Sequence, residues 1–191
     1  MNYKIYACDT ETTGLTIEND IIEISIKNIQ SNQIKTWYIK PFNINKIDLG
    51  ALKINGHKYE DITHQTQIGK LTYLEPSKVI VDIENWLAED GLSSEDRILL
   101  GHNIAFDKKM MEMLWLKNNS FETFPFGRKI LDTMQIQFFM DLCNNSVQNS
   151  YSLNALNKKY GIKNEKAHSA ESDTIATAEL FKKQLEKYSK A

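Results

Sequence analysis

The sequence has few cysteines that could cross-link a small fold, and it has no excess of basic residues that could bind a polyanion through overall charge. Its 191 residues include only two cysteines, too few for a disulfide framework. Lysine and arginine total 23 against 25 aspartates and glutamates, and the net charge of −2 argues against a chain that coats nucleic acid. Only Arg97 and Arg128 are arginines, so phosphate contacts in a local basic groove would come mainly from lysine.

Long hydrophobic runs are also missing. No segment reaches the about 20 apolar residues that span a bilayer, and residues 1–9 contain no apolar stretch of signal-peptide length. We therefore expect a cytoplasmic protein with no membrane partner. The composition, 41% hydrophobic and 25% charged, is that of a globular protein. The length predicts a single domain over residues 1–191, large enough to bury a core without staples.

The apolar spacing predicts strands first, and then alternating strands and helices. The first strand carries Ile5, Ala7 and Asp9 on one face, with Glu11 next in the alternation. Two further strands, over 20–29 and 34–40, suggest an antiparallel meander. Helices are predicted over 78–89, 104–116, from about 133, 152–160 and 171–187, with short strands at 97–100 and 130–131. This order predicts an α/β fold with a mixed sheet covered by helices.

Several side chains are assigned to the core on their spacing. Cys8 lies in an apolar run, where a buried thiol is expected. Leu185 continues the apolar stripe of the last helix. The segment QIQFF, which ends in Phe138 and Phe139, resembles a sliding-clamp-binding peptide, but its position within a helix favours core packing for both rings. Residues 63–77 and 144–150 are polar and are interpreted as insertions or long loops.

The first candidate site is the segment DTETTG, residues 9–14. The side chains of Asp9 and Glu11, two residues apart on a strand, project from the same face. Two bare carboxylates at the end of an apolar strand would repel each other and lose hydration. A divalent cation would offset that cost, and oxygen ligands favour Mg²⁺ or Mn²⁺. The alternative is a solvated strand end that enters a turn.

The second candidate is GHNIAFD, residues 101–107, which follows a predicted strand and opens a helix. Asn103 is placed to cap that helix, and Asp107 lies one turn later on the same side. Capping together with an ordinary first-turn acid would explain the segment without any site. However, the end of a strand in an α/β sheet is also where binding sites are found.

The third candidate is HSAESD, residues 168–173, at the start of the last helix. Asp173 borders the stripe of Ala170 and Thr177, so it can face inward, and the small Ala170 permits a close approach. His168 could act as a general base near neutral pH. A histidine before a helix can equally be structural or simply exposed.

The three segments together contribute one set of four carboxylates and a histidine: Asp9, Glu11, Asp107, Asp173 and His168. Two-metal phosphodiester hydrolysis requires such a combination. In their order and spacing, DTETTGL, GHNIAFD and HSAESD resemble the three motifs of DEDDh-type 3′→5′ exonucleases, which include the proofreading epsilon subunits of bacterial replicative polymerases. The resemblance extends over nearly the whole chain. It implies a ribonuclease H-like fold, in which a five-stranded mixed sheet is flanked by helices.

The resemblance also implies a role for each acid. Asp9 would bridge two Mg²⁺ ions, for which Mn²⁺ could substitute. Glu11 and Asp173 would hold the ion that carries the attacking water, and Asp107 would complete the other site directly or through water. His168 would take the proton from that water. The product would be a nucleoside 5′-monophosphate released from a 3′ end.

The expected substrate contacts follow from the same resemblance. Glu11 and Thr12 would approach the 3′-hydroxyl and the sugar, Leu15 would pack on the terminal base, and Asn55 occupies a position that is often histidine in the epsilon subunits. Phe106 could stack on a base or pack in the core. The full set of expected substrate-binding residues is Thr12, Gly14, Leu15, Asn55, Asn103 and Phe106. The candidates for a basic groove, or simply for a solvated surface, are Lys108, Lys109, Lys158, Lys159, Lys163 and Lys166.

Three functions remain open at this stage. The first is a DNA exonuclease acting on single-stranded or frayed 3′ ends, in association with a polymerase or alone. The second is a 3′→5′ exoribonuclease or an oligonucleotide-degrading enzyme of the same superfamily. The pattern HN-x-x-FD in the second motif favours the DNA branch. The third is a non-catalytic nucleic-acid-binding module, which the complete set of acids and histidine disfavours.

Overall fold

The computed structural model describes residues 3–63, 72–164 and 166–189. The described residues form five strands, seven helices and three short 3₁₀ turns. The elements, in chain order, are β1 (Lys4–Thr12), β2 (Ile21–Asn28), β3 (Ile34–Tyr38), α1 (Leu49–Asn55), α2 (Tyr59–Thr63), α3 (Pro76–Ala88), β4 (Arg97–Gly101), α4 (Ile104–Lys117), β5 (Ile130–Asp132), α5 (Thr133–Cys143), α6 (Leu153–Tyr160) and α7 (Ala170–Tyr188).

The strands form one mixed sheet in the order β3-β2-β1-β4-β5. The first three strands pair antiparallel, and β4 and β5 join parallel to β1. This arrangement confirms the predicted five-stranded mixed sheet and its opening meander. The pairing of β1 with β4 ends at Ala7 opposite Leu100, whereas its pairing with β2 continues to Thr12. The last residues of β1 are therefore open on one side.

Each face of the sheet is covered by different helices. On one face, α3 and α4 pack their apolar residues on Tyr6, Cys8 and Ile24. On the other face, α7 covers Ala7 and Leu100 and packs across β1 and β2. The predicted burial of Cys8 is confirmed, since its side chain is enclosed in the first of these clusters. No helix within the described ranges is long and apolar enough to cross a membrane.

The expected core packing of Phe138, Phe139 and Leu185 is wrong, because these side chains are 39%, 64% and 51% exposed. The buried face of α5 is instead its polar one, which includes Gln137 and Asp141. Gln137 donates to Asp141 and accepts from side chains of α6 and α7, so the polar face is satisfied by hydrogen bonds while the aromatic rings face outward.

The segment expected to be an insertion over 63–77 is described only in part. Residues 64–71 lie outside the described ranges. The short helices α1 and α2, which precede it, were not predicted, since each is too short to show a helical period. They carry a small cluster around Leu52 and Ile62 that packs on Ile22 and Tyr73. This cluster anchors the chain beside the end of β1.

Candidate metal centre and strand-end pocket

Three carboxylates from two distant parts of the chain meet at the end of β1. Asp9 and Glu11 project from the strand, and Asp173 approaches from the first turn of α7. One carboxylate oxygen of each residue lies within 4.8 Å of the others. Their convergence follows from the packing of α7 across β1 and β2. Three acidic oxygen donors this close together suit a hard divalent cation such as Mg²⁺ or Mn²⁺.

Asp107 lies beside this group and does not join it among the residues that the structure describes. Its Oδ1 atom accepts hydrogen bonds from the backbone N–H of Thr10 at 3.0 Å and from the Thr10 hydroxyl at 2.8 Å. The N–H of Thr10 is available because β4 has ended at this level of β1. Asp107 is thus held at the open side of the strand, between the positions of Asp9 and Glu11.

The electrostatics of the site disfavour four bare negative charges. Burial, followed by the charges of Asp107, Asp173 and Glu11, raises the pKa of Asp9 well above its usual value. Burial and the charge of Glu23 raise the pKa of Glu11 to about 8. Burial also raises the pKa of Asp107 to about 7, against the lowering effect of the bonds from Thr10. Bound cations would offset these repulsions, so the residues fit a divalent metal.

His168 and Asn164 border the third motif. His168 has a left-handed backbone (φ 69°), and its backbone N–H donates to Asp173 Oδ2 at 3.2 Å. Asn164 donates to the other oxygen of Asp173 at 2.5 Å. His168 is exposed to solvent. The sequence offered no signal for Asn164, which lies in a loop between two helices.

The expected capping role of Asn103 is wrong. Asn103 adopts a left-handed conformation (φ 64°, ψ 41°), and among the described residues its side chain makes no capping hydrogen bond. Asp132 caps the helix instead, since its carboxylate accepts from the N–H groups of Asn103 and Ile104 at 3.1 and 3.2 Å. The same carboxylate accepts from Met134 N at 2.9 Å at the start of α5. One side chain can cap both helices because β4 and β5 end side by side, with Gly101 opposite Asp132.

The residues expected to hold the terminal nucleotide surround the end of β1. Asn55 Nδ2 donates to the carbonyl of Thr12 at 3.1 Å. The Thr12 hydroxyl donates to the Gly14 carbonyl at 2.6 Å. A Cβ at Gly14 would lie 2.5 Å from the Asn19 side chain, so any larger residue would have to displace Asn19. Leu15 is 85% exposed, free to contact a ligand.

The remaining candidates are Phe106 and the lysines. Phe106 is half-buried and packs against the apolar core, in line with its core interpretation. Lys108 pairs with Glu112, and Lys159 pairs with Asp141 at 3.1 Å. The other four candidate groove lysines are exposed: Lys109, Lys158, Lys163 and Lys166.

The sequence model of one family, the exonuclease family RNase_T, matches residues 7–181. Among curated proteins, the DNA polymerase III PolC-type sequences of Staphylococcus aureus strains bovine RF122 / ET3-1 and MW2 are each 27% identical over 182 residues. The match covers 93% of this chain and 11% of either relative, so the chain spans about a tenth of their length.

Solved structures give a fold match. Escherichia coli exonuclease I in complex with a dT13 oligonucleotide has a TM-score of 0.75 at 17% identity, over 97% of this chain and 41% of that chain. An exonuclease I from Methylocaldum szegediense has a TM-score of 0.75 at 19% identity, over the same shares of 97% and 41%. These structures support the ribonuclease H-like arrangement of the sheet and its helices.

Proposed function

Because this chain belongs to the DEDDh-type 3′→5′ exonuclease family, as its family match over residues 7–181 shows, we propose that it releases nucleoside 5′-monophosphates from DNA 3′ ends by two-metal-ion hydrolysis. The observation that carries the proposal is the convergence of Asp9, Glu11 and Asp173 within 4.8 Å at the open end of β1. A non-catalytic binding module would gain nothing from this costly concentration of acids.

The proposed metal ligands are Asp9, Glu11 and Asp173, with Asp107 completing a second site directly or through water. When bound, Mg²⁺ or Mn²⁺ would neutralise charge at the reacting phosphate and acidify the attacking water. Thr10 holds the Asp107 carboxylate by its two hydrogen bonds. Asn164 and the backbone of His168 hold the two oxygens of Asp173. The carboxylates are thus oriented by neighbours before any ion arrives.

His168 is the proposed general base. His168 is exposed and immediately precedes the Ser169 cap of α7, and its backbone N–H donates to Asp173. A histidine whose ring is exposed can exchange protons with solvent after each turnover. His168 would accept the proton of the attacking water at a ring nitrogen.

The proposed pocket for the terminal nucleotide is formed by Thr12, Gly14, Leu15 and Asn55. Asn103 and Phe106 would extend the pocket along the bound nucleic-acid strand. The choice of DNA rests on relatives: a polymerase III of PolC type in sequence, and an exonuclease I bound to dT13 in fold. Association with a polymerase and action on frayed 3′ ends are proposed on the same ground.

The test uses single-stranded DNA and RNA of equal sequence, each 5′-labelled, with Mg²⁺ or Mn²⁺. The wild-type chain should produce a ladder that shortens from the 3′ end, and Asp9→Ala and His168→Ala should abolish or strongly reduce it. Glu186→Ala, which changes an exposed acid far along α7, is the matched control and should retain activity. Internal cleavage, or a ladder that persists in Asp9→Ala, would refute the proposal. Shortening of RNA alone would assign the chain to the exoribonuclease alternative.

A further inference from the structure

Three buried polar side chains form a hydrogen-bonded row beside the strand-end pocket. Glu23 on β2 lies directly opposite Glu11 in the β1–β2 ladder. Its Oε2 atom is 2.9 Å from His57 Nε2, and His57 Nδ1 is 2.5 Å from the Tyr73 hydroxyl. A neutral imidazole has one donor and one acceptor nitrogen, so a single His57 tautomer, with its proton on Nε2, serves both a Glu23 acceptor and a Tyr73 donor. The three residues are only 3%, 9% and 8% exposed.

The row is connected to the pocket through the turn that follows α1. The backbone N–H of His57 donates to Asn55 Oδ1 at 3.2 Å, while Asn55 Nδ2 donates to the Thr12 carbonyl at 3.1 Å. The Asn55 side chain also hydrogen-bonds the Glu11 carboxyl group, which partly opposes the burial that raises the pKa of Glu11. Gly56 makes the turn possible with its left-handed backbone (φ 75°, ψ 4°). Any shift of His57 therefore moves Asn55.

The same turn borders a cavity of about 310 Å³. Asn55, His57 and Tyr73 line one part of it, and Lys166 and Ser169, on either side of His168, line another. The cavity thus lies between the turn after α1 and the loop of the third motif. A ligand held between them would be sensitive to both.

We propose that His57 and Tyr73 are positioning residues that hold Asn55 against the end of β1, and so shape the pocket for the terminal nucleotide. The inference rests on the proposed function. Packing alone would not require this row. Burial of the Glu23 carboxyl group opposite Glu11 destabilises the fold, and apolar side chains of the same volume would fill the space without that loss of stability. Within the described residues, Glu23 Oε1 also lacks a hydrogen-bond partner. The bond to His57 therefore orients a carboxylate whose burial is only partly compensated.

The decisive variant is Tyr73→Phe, which removes one hydroxyl and keeps the ring. Tyr6→Phe is the matched control, since the buried Tyr6 hydroxyl donates to Asp90 at 2.8 Å in a cluster with Arg97. Tyr6 projects from the face of β1 opposite to Asp9, so its loss should not reach the pocket. Both variants should lower the melting temperature by similar amounts.

Of these two variants, only Tyr73→Phe should weaken the binding of single-stranded DNA to the pocket. We expect the KM of Tyr73→Phe for single-stranded DNA to rise about fivefold, which is the size of effect that one hydrogen bond contributes. Its kcat should stay within about twofold of the wild-type value, because the substitution changes substrate binding and not the reacting groups. Affinity for the same DNA in Ca²⁺, measured by fluorescence anisotropy, should fall by the same factor. Mn²⁺ affinity, measured by calorimetry, should not change, because the three carboxylates keep their places.

A second pair of variants guards against a folding artefact. His57→Leu removes both side-chain hydrogen bonds and should raise KM further, whereas His57→Gln keeps a donor for Glu23 and an acceptor for Tyr73 and should restore most of the affinity. If Tyr73→Phe and His57→Leu match Tyr6→Phe in KM, the row is only a packing element and the inference is wrong. A wild-type chain that neither binds nor shortens DNA would overturn the proposed function itself, and this inference with it.

Discussion

Asp107 Oδ1 accepts two hydrogen bonds from Thr10, one from the backbone N–H at 3.0 Å and one from the hydroxyl at 2.8 Å. This contact joins the first turn of α4 to the acidic end of β1, across 97 residues of sequence. Both the helix position and the orientation of the carboxylate depend on it. Thr10 lies between Asp9 and Glu11 on β1, so its bonds to Asp107 place a fourth acid beside the three clustered carboxylates.

Thr10→Val should weaken this contact while keeping the shape of the side chain. We expect a loss of about 1–3 kcal/mol in the free energy of unfolding, because a buried carboxylate loses one of its donors. Nuclease activity should fall at the same time, since the Asp107 carboxylate would be held by the backbone N–H alone and less firmly oriented. Thr10→Ser, which keeps the hydroxyl, is the control and should be close to wild type in urea unfolding and in activity. Equal behaviour of the two variants would contradict the assigned role.

The metal-free protein should lose stability as the pH rises from about 4 to about 8. The pKa of Glu11 is raised to about 8 and that of Asp107 to about 7. Between the unfolded and folded pKa values, the folded chain binds more protons than the unfolded chain, so its stability falls with increasing pH. Urea unfolding in EDTA at pH 5 and pH 8 measures this change.

Glu11→Gln provides the comparison for that measurement, because it removes one titrating group and keeps the side-chain size. The variant should gain stability relative to wild type at pH 8 and much less at pH 5. Added Mn²⁺ should reduce the advantage of the variant at pH 8, since the cation offsets the same repulsion. A difference between variant and wild type that does not change with pH would show that Glu11 is not destabilised by its neighbours.

Divalent metal should stabilise the wild-type chain and not a chain that lacks Asp173. At a hundred times its dissociation constant, a ligand that binds only the folded state adds about 2.7 kcal/mol. Thermal unfolding with Mn²⁺ against EDTA should therefore show a clear rise in melting temperature. Asp173→Asn should lose most of that rise, while Glu186→Gln, on the exposed face of the same helix, should keep it. An equal rise in both variants would place the ion elsewhere.

Asp132→Ala should be more damaging than the loss of an ordinary helix cap. Its carboxylate caps both α4 and α5, and each cap contributes about 1 kcal/mol. Asp48→Ala removes a single cap, the bond to Gly50 N at 2.7 Å at the start of α1. We expect about twice the destabilisation for Asp132→Ala in urea unfolding. Its activity should also fall, since α4 carries Asp107; a cost no larger than that of Asp48→Ala would argue against double capping.

The sequence by itself determined that the chain forms a mixed sheet and which side chains of the first strand share a face. The alternation from Ile5 to Glu11 is a local property with a period of two, so Asp9 and Glu11 had to share a face wherever the strand lay. The run of strands followed by alternating strands and helices, with the three acidic segments, was sufficient for the fold class. Local patterns of this kind depend on neighbours along the chain, which the sequence lists in order.

The tertiary structure decided which distant side chains meet. Asp173 reaches Asp9 only because α7 packs across β1 and β2, and Asp132 displaces Asn103 as the cap of α4 because two parallel strands end together. The pairing of Glu23 with His57 joins residues 34 positions apart. Such contacts depend on how helices and loops pack around the sheet, which periodicity in the sequence does not encode.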